Sequence, residues 1–176
     1  MDINRQTYFE LFSIVESFDI DPEALGESYR KLQAQYHPDR VSGLDDTARL
    51  QALQTSSIIN QAFDTLKSPL KRAAYMLSLK GLDPDKYQQS LMSEDLLIQQ
   101  MHWREQLEEA AQDENLNALD NLKKTAQTEL QDCLAEFKTQ LNEEELDKAK
   151  ALYHKLQFIN KILQEINRAE EKILDY

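Results

Sequence analysis

The residues of this sequence whose types most often do acid–base, nucleophilic or metal-binding chemistry are His37, His102, His154 and Cys133. They do not assemble into a reactive motif. The histidines are too scattered along the chain to suggest a metal site, and a single cysteine excludes both an intrachain disulfide and a cysteine pair for zinc. No serine sits in a nucleophile motif, and neither does Cys133. The sequence is therefore read as a protein without catalytic chemistry, metal or cofactor of its own. What stands out is a tripeptide, His37-Pro38-Asp39, which sets an imidazole, a helix-stopping ring and a carboxylate side by side. Proline disfavours helix at His37 and cannot continue one itself. The tripeptide is expected as a compact polar tip in an exposed loop between two helices, a place suited to binding. The plain alternative is a helix terminator with a capping aspartate.

The elements that position this tip follow from periodicity. Only three glycines and four prolines occur in 176 residues, and 41% of residues are hydrophobic, which is the composition of an all-helical protein with real cores. Tyr8, Phe9, Leu11 and Phe12 predict a short apolar helix. Asp21 reads as an N-cap with Pro22 at the first helical position. The helix that follows places Leu25, Tyr29, Leu32 and Tyr36 within a sector of about 60° and leaves Arg30 and Lys31 on the opposite side. After the tip comes a long helix over 46–66. Ser68-Pro69 caps a last helix of this unit, and Gly81 ends it.

Downstream of the tip run Ile59-Asn60-Gln61-Ala62-Phe63-Asp64-Thr65-Leu66 and then Ser68-Pro69-Leu70-Lys71-Arg72-Ala73-Ala74-Tyr75. Together with the tripeptide and its upstream helix, these strings resemble the J-domain, the module through which J-protein cochaperones stimulate the ATPase of seventy-kilodalton heat-shock chaperones. The resemblance covers about residues 5 to 80.

Charge narrows the remaining partners. The net charge is -12, and it is uneven: residues 1 to 80 carry 9 Lys+Arg against 11 Asp+Glu, residues 81 to 176 carry 11 against 21. This acidity argues against nucleic acid and anionic membrane as main partners. No apolar run approaches the length needed to span a bilayer, and Met1-Asp2-Ile3-Asn4-Arg5 reads as neither a signal peptide nor an arginine-rich presequence, so a cytoplasmic location is expected. Cys133 falls at helical spacing with Leu119, Leu122, Ala126, Leu130 and Phe137 and is expected as a buried, inert thiol.

The second half predicts three helices, over 93–112, 115–140 and 143–175, with Asn142 capping the last and Glu145 completing a capping box. Short joints between long helices imply an antiparallel three-helix bundle. The fold expected is thus all-α: a J-domain helical hairpin unit over 1–80, a connection over 81–92, and a C-terminal bundle over 93–176. In the first bundle helix Leu96, Trp103, Leu107 and Ala110 share a core stripe of about 60°. Leu97, Ile98 and Met101 fall outside it, with Glu105 on their side. In the last helix Ala149, Leu152, Leu156, Ile159, Leu163 and Ile166 form the stripe, and Phe158 projects about 120° from Leu152. Two readings stand. Leu97, Met101 and Phe158 pack against the first unit or the connection, or they form an exposed apolar patch for a protein partner, rimmed by His102, Arg104 and Glu105.

A J-domain followed by an acidic helical bundle resembles the HscB cochaperones of iron–sulfur cluster assembly, in a bacterial form. The strings that carry this resemblance are Gln61-Ala62-Phe63 with Leu66 and Pro69-Leu70, Tyr75-Met76-Leu77-Ser78-Leu79 ahead of Gly81, Arg104-Glu105 with Leu107-Glu108, and Lys155-Leu156-Gln157-Phe158. The resemblance implies two partners. A dedicated HscA-type heat-shock chaperone would be engaged through His37, Pro38, Asp39, Arg30, Lys31 and Arg40, and its ATP hydrolysis stimulated. The cluster scaffold protein IscU would be held by Leu97, Ile98, Met101, His102, Arg104, Glu105 and Phe158. Arg40 stands where many J-domains have lysine, and Met101 and His102 where the best-known members have leucine and glutamate. The alternatives are a general protein-folding cochaperone of the DnaJ kind, for which a Gly/Phe-rich linker and zinc-binding cysteines are lacking, and a helical adaptor with a vestigial tripeptide.

Overall fold

A computed structural model describes residues 5–36, 46–84 and 93–175. Among these residues there are seven α-helices and no strand. They are α1 (Tyr8–Leu11), α2 (Pro22–Tyr36), α3 (Asp46–Lys67), α4 (Pro69–Leu79), α5 (Glu94–Gln112), α6 (Leu116–Asn142) and α7 (Leu146–Leu174). The all-α expectation is met. The chain divides into two compact units at Met76/Leu77, inside α4.

In the first unit the starts of the helices are written in the sequence. Thr7 and Glu10 form a capping box on α1: the Glu10 N–H donates to Thr7 Oγ1 at 3.2 Å, and the Thr7 N–H to Glu10 Oε2 at 2.7 Å. Asp21 Oδ1 accepts from the Glu23 N–H at 2.9 Å, with Pro22 opening α2 as expected. Ser68 precedes Pro69 at the start of α4. At its end, Gly81 sits at φ 79°, its N–H bonded to Ser78 O while the Leu82 N–H reaches Leu77 O. This pair of bonds is the glycine-closed helix end that the sequence implied.

Helices α2 and α3 form an antiparallel hairpin. Tyr29 stacks on Phe63 with ring centroids 4.1 Å apart, and its hydroxyl donates to Asn60 Oδ1 at 3.0 Å. One turn further along α2, Gln33 Nε2 donates to the same Asn60 oxygen and to the Tyr29 hydroxyl. Burial is strongest at one end of the hairpin, where Leu25, Ile59, Ala62 and Leu66 are enclosed. It thins towards the 37–45 segment: Tyr29, Leu32 and Tyr36 are half-buried, and Leu50 and Leu53 are exposed. Helix α4 closes the buried end. Tyr75 stacks on Tyr8 at 4.3 Å, and its hydroxyl accepts the Tyr8 N–H at 2.9 Å, while burial raises the phenol's pKa. Arg72 donates from Nη1 to Leu66 O, the last turn of α3, at 2.8 Å, and lies 5.0 Å from the Phe18 ring. Burial lowers its pKa, with Asp19 acting in the opposite direction.

In the second unit α5, α6 and α7 each pack on the other two. Three contacts fix α6 and α7 as antiparallel: Lys123 with Glu170 at 2.6 Å, Glu129 with Lys155, and Cys133 Sγ with Leu152 O at 3.6 Å. Cys133 is buried, as expected. Burial pushes its thiol up to about 12, Lys155 draws it down, and Glu136 and Glu129 add to the rise. The folded value thus lies above the ordinary 9.0. The associated stability is fully present below pH 9.0 and is lost as pH rises towards about 12, because only the unfolded chain releases the proton over that window. At pH 8 a thiol-directed reagent is expected to modify the native protein far more slowly than the denatured protein, since the thiolate is the reactive form. Equal rates would place Cys133 at the surface.

The joints correct one expectation. Asn142 does not cap the last helix; it is the final residue of α6. The N-cap of α7 is Glu145, which makes no side-chain cap bond. The reason lies in how α6 ends. Glu144 adopts φ 60°, so that the Glu145 N–H bonds Gln140 O at 2.9 Å and the Glu144 N–H bonds Leu141 O at 3.3 Å. The same device ends α5, with Glu114 at φ 51° and the Asn115 N–H on Ala110 O. Glycine is the usual residue at such a position, and a side chain there costs about 1 kcal/mol. Glu114→Gly and Glu144→Gly are each expected to raise unfolding free energy by about 0.5–1 kcal/mol in urea titrations. A decrease would show that these carboxylates hold the joints.

Candidate functional site

Of the residues expected at the chaperone-facing end, His37, Pro38, Asp39 and Arg40 lie outside the described residues. Their frame does not. Tyr36 is the last residue of α2 and Asp46 the first of α3, so the tripeptide directly follows the first arm of the hairpin. Arg30 and Lys31 are exposed on α2, on the side away from Leu25. Arg30 runs back along the helix, its Nη1 3.6 Å from where a Cβ on Gly26 would stand. The strings that carry the J-domain resemblance are architectural here: Asn60 and Phe63 hold Tyr29, Arg72 ties α4 to α3, and Tyr75 anchors α1.

On the bundle, the structure brings six of the seven expected residues to the surface of one helix. Leu97, Ile98 and Met101 are 41%, 58% and 63% exposed. His102, Arg104 and Glu105 are exposed beside them on α5. The core of α5 is Trp103, Leu107 and Ala110, while Leu96, expected in that core, is only half-buried. The exposed apolar residues point away from this core: relative to Trp103, Met101 projects about 160° around the helix and Leu97 about 120°.

Phe158 is the correction. Periodicity puts it outside the core stripe of α7, yet it is 8% exposed and stacks on Trp103 with ring centroids 5.7 Å apart and planes at 29°. The stripe is wider than a single-neighbour helix would need. Helix α7 serves two neighbours, and its buried residues, Ala149, Tyr153, Leu156, Phe158, Ile159, Ile162 and Ile166, span an arc of about 220°. Leu152 and Leu163, placed in the narrower stripe, fall inside this arc yet are only half-buried. Sequence reading also misses the exposure of Leu50 and Leu53 on α3.

No group of three or more His, Cys, Asp and Glu side chains that could hold a metal occurs among the described residues. No helix among them is long and apolar enough to cross a membrane.

A helical hairpin closed by a cross-helix, followed by a bundle with an apolar surface, defines a J-domain protein with an appended helical module. Residues 7–75 match the DnaJ domain family, and residues 92–167 match the family described as the HSCB C-terminal oligomerisation domain. The chain belongs to the HscB co-chaperone family. It is 37% identical to the "Co-chaperone protein HscB homolog" of Aeromonas hydrophila over 169 residues, covering 96% of this chain and 98% of the relative. It is 38% identical to the protein of the same description from Neisseria gonorrhoeae over 162 residues, covering 92% and 98%. Among solved structures, chaperone HscB from Vibrio cholerae superposes with a TM-score of 0.86 at 33% identity, covering 96% of this chain and 99% of that one. Human co-chaperone protein HscB does so with 0.85 at 26% identity, covering 93% and 81%.

Proposed function

We propose that this co-chaperone delivers an IscU-type iron–sulfur scaffold protein to an HscA-type heat-shock chaperone in the cytoplasm and stimulates that chaperone's ATP hydrolysis. It contributes no catalytic group and no cofactor. Residues 1–80 act as the J-domain, 81–92 as the connection and 93–176 as the scaffold-binding bundle. At the chaperone-facing end, Asp39 offers a carboxylate to an arginine of the partner, a charge-assisted bond. His37 and Pro38 hold that carboxylate in place, and Arg30, Lys31 and Arg40 orient the encounter. On the bundle, Leu97, Ile98 and Met101 supply an apolar contact rimmed by His102, Arg104 and Glu105, with Phe158 behind them. Hydrolysis then tightens the chaperone's grip on the scaffold and favours release of the cluster to acceptors.

The observation that carries this reading is the apolar trio on α5. These three side chains are large and project away from the bundle core, and such a patch beside charged neighbours marks a protein-binding surface. Single-turnover ATP hydrolysis by the chaperone tests it. The rate is expected to rise with this protein, and to rise further when the scaffold protein is also present. A rate that ignores this protein removes the J-domain role; one that ignores the scaffold removes the delivery role.

The basic pair on α2 has its own test. Arg30→Glu with Lys31→Glu is expected to weaken chaperone docking, and the difference from the parent should shrink as salt rises from about 0.01 to 0.15 M, because the screening length falls from about 30 to 8 Å. A salt-independent loss would point to disruption of α2 instead.

A further inference from the structure

The sulfur atoms of this chain are unevenly protected. Among the described residues they belong to Met76, Met101 and Cys133. Met76 is 7% exposed and Cys133 2%, whereas Met101 is 63% exposed. Burial also keeps Cys133 a thiol, its pKa pushed up to about 12, so the thiolate that reacts with peroxides is scarce near neutral pH. Met101 stands in the middle of the apolar trio. At about 100° per residue it projects about 40° from Leu97 on one side and about 60° from Ile98 on the other. The sulfur most open to an oxidant is thus the central apolar contact of the patch.

We propose that Met101 is an oxidation site through which hydrogen peroxide turns down scaffold binding. This rests on the scaffold-binding reading above. A lone pair of the Met101 sulfur attacks one oxygen of the peroxide, an S–O bond forms as the O–O bond breaks, and water leaves. The thioether is oxidised by two electrons to the sulfoxide, and the peroxide is reduced to water. The side chain keeps its length but gains a strong S–O dipole where an apolar sulfur stood. Burying that dipole against an apolar partner surface, with Leu97 and Ile98 at its sides, costs affinity. The bundle loses no packing, because Met101 faces away from Trp103, Leu107 and Ala110. A sulfoxide reductase supplied with a thiol returns the thioether, so the effect is reversible.

The test treats the whole protein with hydrogen peroxide, destroys the excess with catalase, and then titrates an IscU-type scaffold. Peptide mass spectrometry is expected to find one added oxygen at Met101 before any at Met76 or Cys133. Scaffold affinity is expected to fall by about 5- to 100-fold, with the thermal midpoint unchanged, and to return after treatment with sulfoxide reductase. Met101→Leu has no sulfur to oxidise at this position, so its affinity after peroxide should equal its own affinity before. The proposal is overturned if Met76 or Cys133 is oxidised first, if the loss follows a fall in thermal midpoint, or if Met101→Leu loses as much affinity under peroxide as the parent. An untreated parent that binds no scaffold defeats the reading of the patch and this proposal with it. A parent that carries the Met101 sulfoxide and binds as well as the untreated protein defeats this proposal alone.

Discussion

Asp39→Asn is expected to abolish stimulation of the chaperone's ATPase while the circular dichroism spectrum and thermal midpoint stay those of the parent. The two side chains are nearly the same size, and the substitution deletes only the negative charge. If that charge pairs with an arginine of the chaperone, its loss leaves the arginine desolvated and unmatched. Breaking one side of such a pair costs about 2–5 kcal/mol, so stimulation at a fixed protein concentration should fall by about 30-fold or more. The fold should be indifferent, because Asp39 belongs to the segment between α2 and α3, and the hairpin is held elsewhere by Tyr29, Asn60, Phe63 and the enclosed residues Leu25, Ile59 and Ala62. An Asp39→Asn protein with a parental spectrum and parental stimulation would return the tripeptide to a helix terminator.

Much of the fold is legible in the sequence because its signals are local. The N-cap at Asp21 and the glycine stop at Gly81 each act within one turn of backbone, so sequence alone places them. The failures have a common physical origin. The start of α7 is misplaced by sequence because Glu144 takes a left-handed conformation that glycine normally marks, and nothing in a glutamate announces it. The misassignment of Phe158 comes from treating a helix as having one buried face. Helix α7 has two neighbours, and the arc that it buries is set by tertiary packing, which no single-helix periodicity contains. Leu97, Ile98 and Met101 fall correctly outside the core, because α5, which also has two neighbours, packs less extensively on them than α6 and α7 do on each other and buries only Trp103, Leu107 and Ala110.

The same division of α5 and α7 into surface and core predicts opposite behaviour for residues that sequence alone groups together. Leu97→Ala and Met101→Ala remove exposed side chains, so unfolding free energy should change by less than about 0.5 kcal/mol. Their cost should appear in scaffold binding, at about 1–3 kcal/mol each, or roughly five- to 150-fold in affinity, as expected for apolar anchors at an interface. Phe158→Ala removes a buried ring from a stacked pair and leaves a cavity beneath Trp103, so it should cost about 3–5 kcal/mol of folding stability. Chemical denaturation and titration calorimetry on the same three proteins separate the two classes. Should Phe158→Ala unfold at the parental midpoint, the ring is not part of the bundle core and belongs with the patch. Should Leu97→Ala or Met101→Ala lose stability instead of scaffold affinity, the face they occupy is a packing surface, and the second partner disappears from the function proposed.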